Sequence, residues 1–83
     1  MIITDQNRRV YSFLIHRGLT KREIEVSVAV ASGKLIKEAA EDMNIGNQTV
    51  KFHLTNIYKK LKIKRKKDLA QMVLNLSEDS QVW

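Results

Sequence analysis

Glycine punctuates this chain at only three positions, 18, 33 and 46, and there is no proline. Glycine readily ends a helix, so the three are read as breaks between helices. The segments between them repeat their apolar residues at helical rather than strand spacing, and no internal repeat or low-complexity tract appears. Residues 4 or 5 to 16 form the first expected helix, with Val10, Phe13 and Leu14 on one side. Thr20-Lys21-Arg22-Glu23 is a capping box. The Thr20 hydroxyl can accept from the Glu23 amide while the Glu23 carboxylate reaches back to the Thr20 amide, and the second helix should then run to about Ser32.

A short third helix follows over 35–43, with Ala39, Ala40 and Met43 inward, and Asn44-Ile45-Gly46 makes the next turn. The fourth, about 47–62, places Val50, Leu54, Ile57, Tyr58 and Leu61 on one stripe, the spacing of a buried face. Its opposite side carries Gln48, Lys51, Phe52, Thr55, Lys59 and Lys62. The fifth, about 66–76, holds an apolar arc of Leu69, Ala70, Met72, Val73, Leu74 and Leu76. That is wider than one packing partner requires, so part of it is expected to meet another chain. The last residues, 77–83, should fray.

The 83 residues carry 15 Lys and Arg against nine Asp and Glu, a net of +6. Location matters more than total: residues 51–67 hold eight basic side chains and no acidic one, leaving the remainder slightly acidic. A positive pole of this kind favours phosphate-dense ligands over a merely solvated face. Without Cys there is neither a disulfide framework nor a thiolate zinc site. His16 and His53 lack a suitably spaced second ligand, and no Gly-rich phosphate loop exists. No catalytic residue, metal or cofactor is therefore expected. No apolar run approaches the roughly 18 residues of a membrane span, which places the chain in the cytoplasm.

A short helix, a Gly-containing turn and a longer basic helix make a helix-turn-helix. Gly18 to Val26, then Gly33, Lys37-Glu38 and Ala40, then Thr49-Val50-Lys51, His53, Asn56-Ile57, Lys60-Leu61 and Ile63 together resemble the LuxR-type (GerE-like) DNA-binding domain of bacterial regulators. The resemblance implies an all-α fold: a four-helix LuxR/GerE-type helix-turn-helix domain over 19–76. Residues 1–18 would add an N-terminal helical extension and 77–83 a C-terminal tail. It further implies base reading by Lys51, Phe52 and Thr55, and DNA-backbone contacts by Thr49, His53, Asn56 and Lys60. The neighbouring basic residues Lys59, Lys62, Lys64 and Lys66 are added as phosphate anchors. A homodimer would pair through Leu69, Met72, Val73 and Leu76, which follow i, i+3, i+4, i+7.

Three small residues depart from the family, which usually has bulky aliphatics inside: Ser27, Ala29 and Ala39. They predict a hollow that the first helix fills with Val10, Phe13 and Leu14. Leu35 and Arg65 stand where a small polar cap is usual.

The leading expectation is a stand-alone, nucleoid-associated transcription regulator that binds double-stranded DNA as a homodimer. RNA polymerase or another regulator stands as a further candidate partner. The alternative is a protein-interaction module, an anti-activator or co-regulator. Phe52, Ile36 and the extra apolar helix favour that module, and the basic run opposes it.

Overall fold

The computed structural model describes the backbone of residues 5–79 and the side chains of residues 8–76. Five helices follow one another: α1 (Asp5–His16), α2 (Lys21–Ala31), α3 (Ile36–Met43), α4 (Asn47–Leu61) and α5 (Lys66–Asp79), with no strand among the described residues. The fold is all-α, four helices of helix-turn-helix type with an additional helix before them. Thr4, the alternative start of the first helix, lies outside the described residues. At the other end, α5 runs to Asp79, beyond the expected end at Leu76.

α2 is the hub. It packs on α4 and α5 and more lightly on α1 and α3, while α3 lies against α4. Its Ile24, Val26 and Val30 are buried, and they meet Val50, Leu54, Ile57 and Leu61 in one core with Leu19, Ala39, Ala40 and Leu69. The α4 residues are those of the expected stripe, with Tyr58 half-buried beside them. Each such aliphatic side chain contributes about 1.5–3 kcal/mol by leaving water.

One device closes four helices. An amide bonds to the carbonyl five residues back at Leu19–Leu14, Lys34–Ala29, Ile45–Ala40 and Ile63–Tyr58. The residue before each of these amides turns left-handed: Gly18 (φ 90°), Gly33 (φ 95°), Asn44 (φ 57°) and Lys62 (φ 58°). All three glycines lie between helices as expected, and two of them make the left-handed turn; at the third break Asn44 makes it, and Gly46 is the extended residue that precedes α4.

Helix starts divide by sequence. The Thr20–Glu23 box forms in full. At α3, Leu35 is the cap residue and supplies no acceptor, so only half a box exists: the Leu35 amide donates to Glu38 Oε1 at 2.7 Å. At α5 the Lys64 amide donates to Asp68 at 3.4 Å, and Arg65 pairs with the same carboxylate at 3.5 Å.

α1 joins the core through Val10 and Leu14, both enclosed, with Phe13 half-buried beneath the Arg17 guanidinium at 5.4 Å. Its seat differs from the one expected. α1 packs mainly on α5 and only secondarily on α2, not over the junction of α2 and α3. Ser27 and Ala39 are both enclosed, and the Ser27 hydroxyl donates to the Glu23 carbonyl at 2.9 Å. Ala29 instead lines an open groove of about 760 Å³, with Tyr11, Ile24, Val28 and Met43 among its walls.

The wide apolar arc of α5 is explained by the same arrangement, because two helices of its own chain, α1 and α2, cover it. Leu69 has 0% exposure and is a core residue, not part of the expected seam between copies. Met72, Val73 and Leu76 are half-buried against the core, and Leu74 remains 51% exposed.

Candidate nucleic-acid interface

Asn44 redirects the chain so that α3 and α4 pack on each other, and α4, about 22 Å long at 1.5 Å per residue, emerges with two unlike faces. Val50, Leu54, Ile57 and Leu61 fix the inner face. That leaves Gln48, Phe52, Thr55, Lys59 and Lys62 in one outward row at i, i+4, i+7, i+11 and i+14, all exposed, with Lys51 exposed beside them. Phe52 is 64% exposed, and its ring leans on that of His53, centroids 6.2 Å apart at 55°. The Thr55 hydroxyl donates to the Lys51 carbonyl at 3.1 Å.

The structure brings Lys51, Phe52 and Thr55 to one surface. Thr49 is exposed at the start of the helix, and His53 and Asn56 sit half-buried along its margin. Lys59, Lys62, Lys64 and Lys66 are exposed at its far end and in the turn to α5. No side chain caps the first turn of α4 and no acidic residue lies in it, so the positive end of the helix dipole is uncompensated there.

Lys60 has a role that its place in the basic run did not reveal. Its ammonium donates to Glu23 Oε1 at 2.7 Å, bridging α4 to α2. Burial pushes the Glu23 carboxyl up. The hydrogen bond and charge of Lys60, together with the bonds from Thr20, outweigh that and hold it below its ordinary 4.5. Both residues were conspicuous in the sequence, Glu23 in the capping box and Lys60 in the basic run. Nothing local joined positions 37 apart.

At the fifth helix, Met72 and Leu76 with Ile63, Asp68, Gln71 and Asn75 line a shallow open depression. Tyr58, half-buried, has its phenol pushed up by burial and by the Asp68 charge.

A short helix, a left-handed turn and a longer helix with one buried and one basic, exposed face make a helix-turn-helix. A family model described as bacterial regulatory proteins, luxR family, matches residues 17–73, and the chain belongs to that family of DNA-binding transcription regulators. Among its relatives, the transcriptional regulatory protein LiaR of Bacillus subtilis is 48% identical over 50 residues, 60% of this chain and 24% of that protein. The oxygen regulatory protein NreC of Staphylococcus carnosus is 40% identical over 70% of this chain and 27% of its own length. The nitrate/nitrite response regulator protein NarP of Escherichia coli is 40% identical over 72% of this chain and 27% of its own. The chain thus spans about a quarter of the length of these curated relatives. No solved structure gives a significant match. No helix among the described residues is long and apolar enough to cross a membrane.

Proposed function

We propose that the protein binds double-stranded DNA as a homodimer, with α4 in the major groove, and regulates transcription from the sites it occupies. The observation that carries this reading is the row of exposed polar and basic side chains on α4, directly behind an enclosed apolar stripe. Lys51, Phe52 and Thr55 face the bases. Thr49, His53, Asn56, Lys59, Lys62, Lys64 and Lys66 hold phosphates on either side, while Lys60 divides its donors between Glu23 and the backbone. The uncapped start of α4 offers further amide donors to a phosphate oxygen.

The helices α2 to α5 form the reading unit, and α1 buttresses it. Two copies pair through Met72, Val73 and Leu76, of which Met72 and Leu76 line a shallow depression beside polar Gln71 and Asn75. The site of action is the nucleoid, in the cytoplasm, with RNA polymerase or another regulator as a further contact.

Selection of bound duplexes from a random pool tests the proposal. It should return half-sites whose centres lie about 34–36 Å, one helical turn, apart. A pool that stays random after repeated selection overturns it. A second reading, a module that binds another regulator, is favoured by the exposed Phe52 and the open groove beside Tyr11 and Ala29. Capture of a regulator that Phe52→Ala abolishes, with no enrichment of DNA, supports that reading instead.

A further inference from the structure

We infer that the reading face of α4 recognises thymine by apolar contact, with the Phe52 ring and the Thr55 methyl group seated on the 5-methyl groups of thymines. The inference rests on the DNA-binding reading above and assigns the chemistry of its specificity. Phe52 is 64% exposed, and its ring has His53 as its aromatic neighbour. A phenyl ring has no donor or acceptor for a base edge, and the only apolar group that a base pair presents in the major groove is the thymine methyl.

Thr55 is exposed, but its hydroxyl proton is directed to the Lys51 carbonyl at 3.1 Å, so it donates nothing to a base. That bond leaves the side chain a methyl group and an oxygen that can only accept. Phe52 and Thr55 are three residues apart and therefore neighbours on the helix surface, roughly 5–6 Å between Cβ atoms. That separation suits methyl groups one or two base steps apart, at about 3.4 Å per step. Residues 47–62 contain no carboxylate, so the exocyclic amines of cytosine and adenine meet no charged acceptor on this helix. Gln48 precedes Phe52 on the same row, and its amide suits the paired donor and acceptor of adenine, the partner of thymine. Lys59 and Lys62, at the far end of the row, supply phosphate attraction without sequence preference.

The experiment uses the duplex pool selected on the wild-type protein, amplified once with thymidine and once with deoxyuridine triphosphate. Uracil keeps every hydrogen-bonding group of thymine and lacks only the methyl. Uracil duplexes should bind about fourfold more weakly for each contacted methyl, the equivalent of one buried methyl group. Replacing thymines singly in the tightest duplex should confine the loss to one or two positions in each half-site. Phe52→Ala should erase the sensitivity at one of them and Thr55→Ser, which keeps the hydroxyl, at the other. Both side chains are exposed, and circular dichroism checks that the variants remain folded.

Equal affinity for thymine and uracil duplexes overturns the inference while leaving DNA binding intact. A uracil penalty that persists unchanged in both variants also overturns it, because the methyl then acts through DNA shape. Failure to bind either pool refutes the DNA-binding reading, and this inference with it.

Discussion

Glu23 Oε1 lies 2.7 Å from the Lys60 ammonium and 2.8 Å from the Thr20 amide nitrogen, so a single carboxylate oxygen both caps α2 and ties it to α4. The helix that carries the basic, exposed face is thereby indexed to the central helix of the core. Glu23 is 4% exposed, which makes loss of either partner more consequential than for an ion pair in water.

Lys60→Met should lower stability by about 1–3 kcal/mol, reduced from a fully buried pair because the Lys60 side chain is itself 34% exposed. The Glu23 carboxyl is held below 4.5 in the folded state, so the contribution of the pair is complete above that pH. It is lost as pH falls through the lower folded value. Urea midpoints of wild type and Lys60→Met should differ at pH 7 and converge in acid; a gap that is constant with pH would assign Lys60 a packing role only.

Lys51→Ala should cost about 1–3 kcal/mol on specific DNA and relax preference at one base pair. Lys66→Ala should weaken all duplexes alike and reduce the slope of log affinity against log salt by about 0.9. Fluorescence anisotropy on selected and scrambled duplexes at several salt concentrations separates them. Equal losses on both duplexes for Lys51→Ala would remove it from the reading face.

Leu14 is enclosed where α1 meets the rest of the domain, whereas Ile15, the next residue, is 47% exposed. Leu14→Ala should therefore cost about 2–5 kcal/mol, and Ile15→Ala less than about 0.5 kcal/mol. Calorimetry should show a fall of many degrees for the first and little for the second. Hydrogen exchange on a dilute sample gives a second check: amides of residues 10–14 exchanging like a free peptide would detach α1 from the fold.

Lys62 ends α4 with φ 58° and ψ 43°, a conformation that costs a side chain about 1–2 kcal/mol. Lys62→Gly should stabilise the domain by about 0.5–1 kcal/mol while lowering the salt slope of DNA binding, one phosphate anchor having gone. A variant that is less stable than wild type would mean that the Lys62 side chain holds contacts worth more than the strain.

Met72 has a wall of the shallow depression on α5 and only partial burial, so Met72→Glu should leave the fold intact and give monomers. DNA affinity should fall by about 100-fold or more, since the linkage that makes the second half-site intramolecular is lost. Sedimentation showing the same dimer in the variant would place the seam elsewhere.

Where structure depends on neighbours within about four residues, the sequence was sufficient. The Thr20–Glu23 box needs only its own turn, and the buried stripe of α4 follows from 3.6-residue periodicity. The same periodicity brought Lys51, Phe52 and Thr55 to the outer surface together. Tertiary structure decided what periodicity cannot express, namely which apolar face meets which. α5 presented an arc wide enough for two partners, and the sequence could not say that α1 and α2 of the same chain would take it and enclose Leu69. Within the Asn44-Ile45-Gly46 turn, spacing did not say which residue turns left-handed; it is Asn44, where the Ile45 amide closes α3 on the Ala40 carbonyl. Lys60 read as one lysine in a basic run until the fold brought it against a buried carboxylate 37 residues away. Local bonding is encoded by short spacings along the chain, whereas the choice of partners is a competition among all the faces at once.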